Sequence, residues 1–161
     1  MSDSALEQAA KYGLSVTQRD FAARRELPNI VKQVIIVRKD LGMNKGKLMS
    51  QAAHASMKVF VDRLEYKETI NNGNTPVYRL ETTCNMSEWL DGVFTKVVLA
   101  VKSEEEMVTL TQKAREAGIP CAEIIDNGTT VFNGVPTLTT VAIGPDLSSK
   151  IDAITGHLPL Y

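Results

Sequence analysis

Residues 34–58, VIIVRKDLGMNKGKLMSQAAHASMK, decide the fold of this chain. Val34-Ile35-Ile36-Val37 is an unbroken apolar run rich in β-branched residues, as a strand covered on both faces requires. A glycine-bearing loop from Asp40 to Asn44 leads into a helix expected within residues 43–58. On that helix Leu48, Ala52, Ala55 and Val59 recur at i, i+4, i+7 and i+11, which makes an apolar face for a core. One residue earlier, Lys47, Gln51, His54 and Lys58 repeat the same spacing and form a narrow polar stripe beside it. A strand feeding such a helix is the first unit of an alternating α/β fold.

The rest of the chain extends that unit. Val97–Val101 is a second buried-strand candidate, and Ser103 with Glu106 then forms a capping box before a helix with an acidic first turn. That helix ends at Gly118, with Pro120 as a stop signal. Strands are expected near Cys121–Ile125 and Leu138–Ile143. A last helix is expected to start at Pro145 and Asp146, to carry Leu147, Ile151 and Ile154, and to close at Gly156. The order predicts an α/β fold: three α/β/α layers around a mostly parallel mixed sheet of about four strands. Two segments lie outside this plan. Residues 1–30 read as a helical extension, two short helices with caps at Ser4/Glu7 and Thr17/Asp20. Residues 62–86, polar and turn-rich around Asn71-Asn72-Gly73-Asn74, read as an insertion forming a hairpin or an exposed loop.

Composition narrows the function classes. The 161 residues suit one main domain, residues 31–161, and the net charge of −1 argues against a broad nucleic-acid-coating surface while allowing a local basic patch. No apolar run reaches the length of a membrane span, and the start lacks the basic-then-apolar pattern of a secretory signal. Cys84 and Cys121 make no disulfide framework or metal-ligand spacing, so a cytoplasmic protein with reduced thiols is expected, with no metal and no cofactor.

In an open α/β sheet, ligands bind beyond the carboxyl ends of the parallel strands. The loop Arg38–Lys47 and the turn Asp126-Asn127-Gly128-Thr129-Thr130 should both lie there, although they are far apart in the chain. Lys45 and Lys47 occupy a first helical turn, where acidic residues are normal; they form either an anion site or a solvated pair. Asp126 enters an Asn-Gly turn, so its carboxylate either closes that turn or orients a water. His54 and the threonines at 129, 130, 137, 139 and 140 have ordinary structural roles as alternatives. A catalytic triad elbow and a Walker-type phosphate loop are both absent from the sequence.

Four pieces in order resemble the type II peptidyl-tRNA hydrolases: KQVIIVRKDLGMNKGKLMSQAAHA, EWLDGVFTKVVLAVKSEEEM, KAREAGIPCAEIIDNGTT and TTVAIGPDLSSKIDAITGHL. They fall within residues 32–61 and 87–161, about two-thirds of the chain. The resemblance implies hydrolysis of the ester joining a peptide to the 3′ ribose of tRNA. It implies a catalytic set of Lys47, Asp126, Thr130 and Thr139, with Gln51 and His54 on the motif helix. Asn44 stands where the family usually has glycine, which leaves both lysines in place and offers the helix an N-cap. One extra residue between Thr130 and Gly144 leaves Thr140 as the alternative to Thr139.

The mechanism expected from both readings is direct attack of water on the ester carbonyl. Asp126 would position the water, and Lys47 with threonine hydroxyls would stabilise the developing oxyanion. Arg38, Lys45 and Lys58, with Gln51 and His54 on the helix, form the expected substrate-binding set, the cations taking acceptor-end phosphates. The expected partner is peptidyl-tRNA, without a membrane, and a homodimer is possible. Two other functions compete: a non-catalytic RNA- or protein-binding module on the same fold, and hydrolysis of a different small ester or amide.

Overall fold

The computed structural model describes residues 30–161 apart from 71, 72 and 74. The expected helices of the N-terminal extension lie outside the described residues. Residues Val31–Tyr161 form one compact unit. Its elements in chain order are β1 (Val31–Arg38), a 3₁₀ turn (Lys39–Leu41), α1 (Lys45–Val61), β2 (Leu64–Ile70) and β3 (Thr75–Leu80). Then come α2 (Cys84–Asp91), β4 (Lys96–Val101), α3 (Glu104–Glu116), β5 (Cys121–Asp126), β6 (Thr137–Leu147) and α4 (Ser148–Thr155).

Alternation along the strands builds two cores, one on each face of a single sheet. In β1, Val34 and Ile36 join Leu99, Val101, Val141 and Ile143 beneath α3 and α4 through Met107, Leu110, Ala114 and Ile151. The intervening Ile35 and Val37 join Ala122 and Ala142 beneath α1 and α2 through Ala55, Val59, Met86 and Trp89. Because both faces are covered, β1 is buried at nearly every position and carries the unbroken apolar run Val34–Val37. The fold is α/β with helices on both sides, as expected.

The sheet runs β4-β1-β6-β5. β1 pairs in parallel with β4, whereas β6 is antiparallel to both β1 and β5. Thus β1, β4 and β5 point the same way and present their carboxyl ends together. The expected parallel character holds for strand direction; among neighbouring pairs only β1–β4 is parallel, because β6 returns from β5 and enters between β5 and β1.

The final helix begins later than expected. Pro145 and Asp146 belong to β6, and α4 opens at Ser148. β1 starts early enough for Val31 and Lys32 to pair with Leu147 and Asp146, across a register shift between Lys32 and Val34. Proline is tolerated in a strand at such an irregularity. The Asp146 carboxylate accepts from Asn85 Nδ2 at 2.6 Å and from the Leu147 N–H at 2.7 Å, tying α2 to the end of β6.

Residues 62–86 hold the β2–β3 hairpin, largely exposed, with Tyr66 and Tyr78 edge to face at 5.9 Å. Its end runs into α2, which the sequence reading did not anticipate. Thr83 caps α2 by accepting from the Met86 N–H, and Trp89 stacks on Phe60 of α1 at 5.5 Å.

Candidate active site

Asn44 starts α1 as its N-cap: its side-chain oxygen accepts the Lys47 N–H at 2.9 Å. This places Lys47 in the first turn, at the carboxyl ends of the sheet. β5, separated from β1 by β6, ends at Asp126 at the same end of the sheet, and α1 packs against β5 and β6. The Lys47 ammonium donates to Asp126 Oδ2, and it lies 3.3 Å from Thr130 Oγ1. Two loops far apart in sequence therefore meet at one ion pair. Both side chains are nearly covered, at 13% and 11% exposure, so the contact is shielded from solvent screening.

Gln51, one turn further along α1, is buried and joins the pair from below. Its amide Nε2 donates to Asp126 Oδ2 at 2.9 Å, and its Oε1 accepts from the Thr139 hydroxyl at 2.5 Å. The two partners fix the amide orientation, because only this way does each atom meet its complement. The Thr140 hydroxyl instead donates to the Gln51 backbone carbonyl at 3.1 Å. Thr139 therefore belongs to the polar chain that reaches Asp126, and Thr140 anchors the helix backbone. Both threonines are fully buried, so Thr139 acts on the site through Gln51 and does not face the open side.

The Asp126 carboxylate divides its work. Oδ2 takes Lys47 and Gln51, while Oδ1 accepts the Gly128 N–H at 2.9 Å. The turn-closing and charge-pairing readings of Asp126 are thus both realised, one on each oxygen. The Lys47 hydrogen bond, followed by the Gly128 N–H, holds this carboxyl below its ordinary range against the opposing effect of burial. It is an anion across the neutral range and a weak base. With roughly four lone-pair sites on a carboxylate and three donors in place, about one acceptor site is left, on Oδ1.

The other expected residues are placed differently. Lys45 is exposed and has no hydrogen bond or ion pair among the described residues. His54 is exposed on the stripe one turn beyond Gln51. Lys58 pairs with Asp62 at 2.6 Å, about 16 Å along the helix from Lys47 at 1.5 Å per residue. Arg38, expected as a phosphate-binding cation, is engaged by groups of the protein itself. Its guanidinium donates to Asp40 at 2.6 and 3.2 Å, to Glu104 at 2.5 Å and to the Leu138 carbonyl at 3.3 Å. With four of its five N–H donors engaged, it ties the loop after β1 to the start of α3 and to β6.

Two residues absent from the sequence reading as site members belong here. Gly128 has φ +79°, and a Cβ would lie 2.5 Å from the Val135 carbonyl oxygen, so only glycine permits this turn to aim its N–H at Asp126. An Asn-Gly pair signals such a turn. Phe132 lies with its ring centroid 5.6 Å from the Lys47 ammonium. Periodicity could not have found it, since the contact comes from an irregular loop.

Comparison with known proteins identifies the family. A family model described as "Peptidyl-tRNA hydrolase PTH2" matches residues 31–161. The chain is 40% identical over 130 residues to a peptidyl-tRNA hydrolase of Methanocaldococcus jannaschii, covering 81% of this chain and 99% of that protein. It is 40% identical over 129 residues to a peptidyl-tRNA hydrolase of Methanopyrus kandleri, covering 80% and 97%. A probable peptidyl-tRNA hydrolase 2 of Dictyostelium discoideum is 33% identical over 131 residues, 81% of this chain and 54% of that protein. With a match spanning the whole compact unit, this chain belongs to the peptidyl-tRNA hydrolase PTH2 family.

Proposed function

We infer that the chain hydrolyses the ester between a peptide, or an N-blocked aminoacyl group, and the 3′ ribose of tRNA, releasing free tRNA in the cytoplasm. One observation carries the reading: in a member of this family, Lys47 and Asp126 meet at the carboxyl ends of the sheet, with Thr130 and Gln51 against them. Residues 31–161, hairpin included, act as the hydrolase domain, because the family match runs over that range.

Water is the nucleophile. Asp126 holds it on the acceptor site left on Oδ1 and polarises it toward the ester carbonyl, accepting its proton only as the new C–O bond forms. As the tetrahedral adduct collapses, the acyl C–O bond to the ribose breaks and that proton passes to the leaving 3′ oxygen. A strongly anionic carboxylate suits orientation better than early proton removal. Lys47 has three N–H donors; Asp126 and Thr130 take two, and the third is free for the developing oxyanion. The Thr130 hydroxyl adds a second donor. Gln51 and Thr139 are positioning residues that hold Asp126 from behind. Lys45, exposed beside the pair, takes a phosphate of the acceptor end, and His54 and Lys58 extend that path along α1. Incubation with N-acetylaminoacyl-tRNA tests the reading: free N-acetylamino acid and intact tRNA are expected. Retained tRNA binding without release would overturn it.

A further inference from the structure

The Lys47 ammonium has a neighbour that neither the ion pair nor the hydroxyl explains. Phe132 presents its ring 5.6 Å from Lys47 Nζ, within cation–π range. The ring is half-buried and packs against the same core as Leu48 and Ala52 of α1. Its loop is closed on itself: the Gly128 carbonyl accepts the N–H groups of Phe132 and Gly134, each at 3.1 Å, and the Phe132 carbonyl accepts that of Val135 at 2.9 Å. The turn that aims the Gly128 N–H at Asp126 also sets Phe132 beside Lys47. Thus a single loop places the orienting N–H, the Thr130 hydroxyl and the aromatic ring around one ion pair.

We propose that Phe132 is a positioning residue for hydrolysis, holding the Lys47 ammonium at the oxyanion side through its ring face. The need for it follows from the reaction. As attack proceeds, Asp126 gains a proton from water, so its pull on Lys47 weakens just when the oxyanion needs the cation. The ring's attraction does not change during that transfer. It also covers one side of the ammonium, which leaves fewer waters to compete with the ester oxygen.

This proposal rests on the catalytic role of Lys47 inferred above, and the experiment separates the two. Turnover of N-acetylaminoacyl-tRNA is compared for wild type, Phe132→Leu, Phe132→Tyr, Phe132→Trp, Lys47→Ala and the Lys47→Ala/Phe132→Leu double variant. Phe132→Leu is expected to lower kcat about two- to fivefold with KM unchanged, since leucine keeps apolar contact but has no ring quadrupole. Phe132→Tyr or Phe132→Trp should restore it. Added to Lys47→Ala, the leucine change should have no further effect on the residual rate. Wild-type kcat in Phe132→Leu, or an equal loss in the Lys47→Ala background, overturns the role of Phe132. Full activity in Lys47→Ala overturns instead the reading on which it rests.

Discussion

The Asp126 carboxylate accepts from three groups drawn from an α-helix and its own turn, and this arrangement makes it an anion with a fixed direction. Its pH behaviour follows. The folded-state value is depressed, so the interaction stabilises the fold above the ordinary aspartate range near pH 4 and is lost as pH falls through the depressed value. Any acid limb of kcat that belongs to Asp126 should therefore lie below about pH 4, and Asp126→Asn should lessen acid-induced destabilisation. Thermal melting from pH 7 down to pH 3 checks the sign. The threonines give a paired prediction. Thr139→Val removes the hydroxyl from buried Gln51 Oε1, and Thr140→Val removes one from the Gln51 carbonyl. Each should cost about 1–3 kcal/mol of stability, but only Thr139→Val should also slow turnover, because Thr139 holds the Gln51 side-chain amide that touches Asp126, whereas Thr140 holds the backbone carbonyl.

Helix α1 carries both the core face and the polar stripe, and this division was legible because a 3.6-residue period shows itself in a single sequence. The stripe proved uneven: Lys47 and Gln51 enter the site, His54 faces solvent, and Lys58 turns to Asp62. What periodicity could not show was pairing over distance. Of the groups that engage Arg38, only Asp40 is near in sequence; Glu104 and the Leu138 carbonyl lie 66 and 100 positions away. Pro145 read as a helix start, since β6 continues past it only through its pairing with the beginning of β1. Helix α2, only 8 residues long, is too short for a clear apolar period. The turn after β5 is the element whose integrity matters most to the site. Gly128→Ala should cost about 1–3 kcal/mol from the left-handed backbone alone, and more from overlap with Val135. Turnover should fall with it, which melting and steady-state kinetics together would show.

The whole molecule is nearly neutral, so tRNA affinity has to come from a few local cations and not from a general positive surface. Among the described residues, the first turn of α3 is acidic and Asp40 and Glu104 pair with Arg38, so the phosphate path proposed above runs along α1. kcat/KM should therefore fall only modestly with salt. Lys45→Ala should lower the steepness of the log–log salt dependence by about 1 while leaving kcat in place. The sheet makes the chemistry possible: three strands pointing one way, with helices on both faces, bring the end of β5 under the first turn of α1. The measurement that tests this account most directly is the single-turnover rate of peptide release from peptidyl-tRNA by wild type, Lys47→Ala and Asp126→Asn, each with its melting curve. The account predicts at least a 100-fold loss in Lys47→Ala, in line with removal of an oxyanion donor, and a large loss in Asp126→Asn, with both proteins folded. Release at the wild-type rate by either folded variant would contradict it.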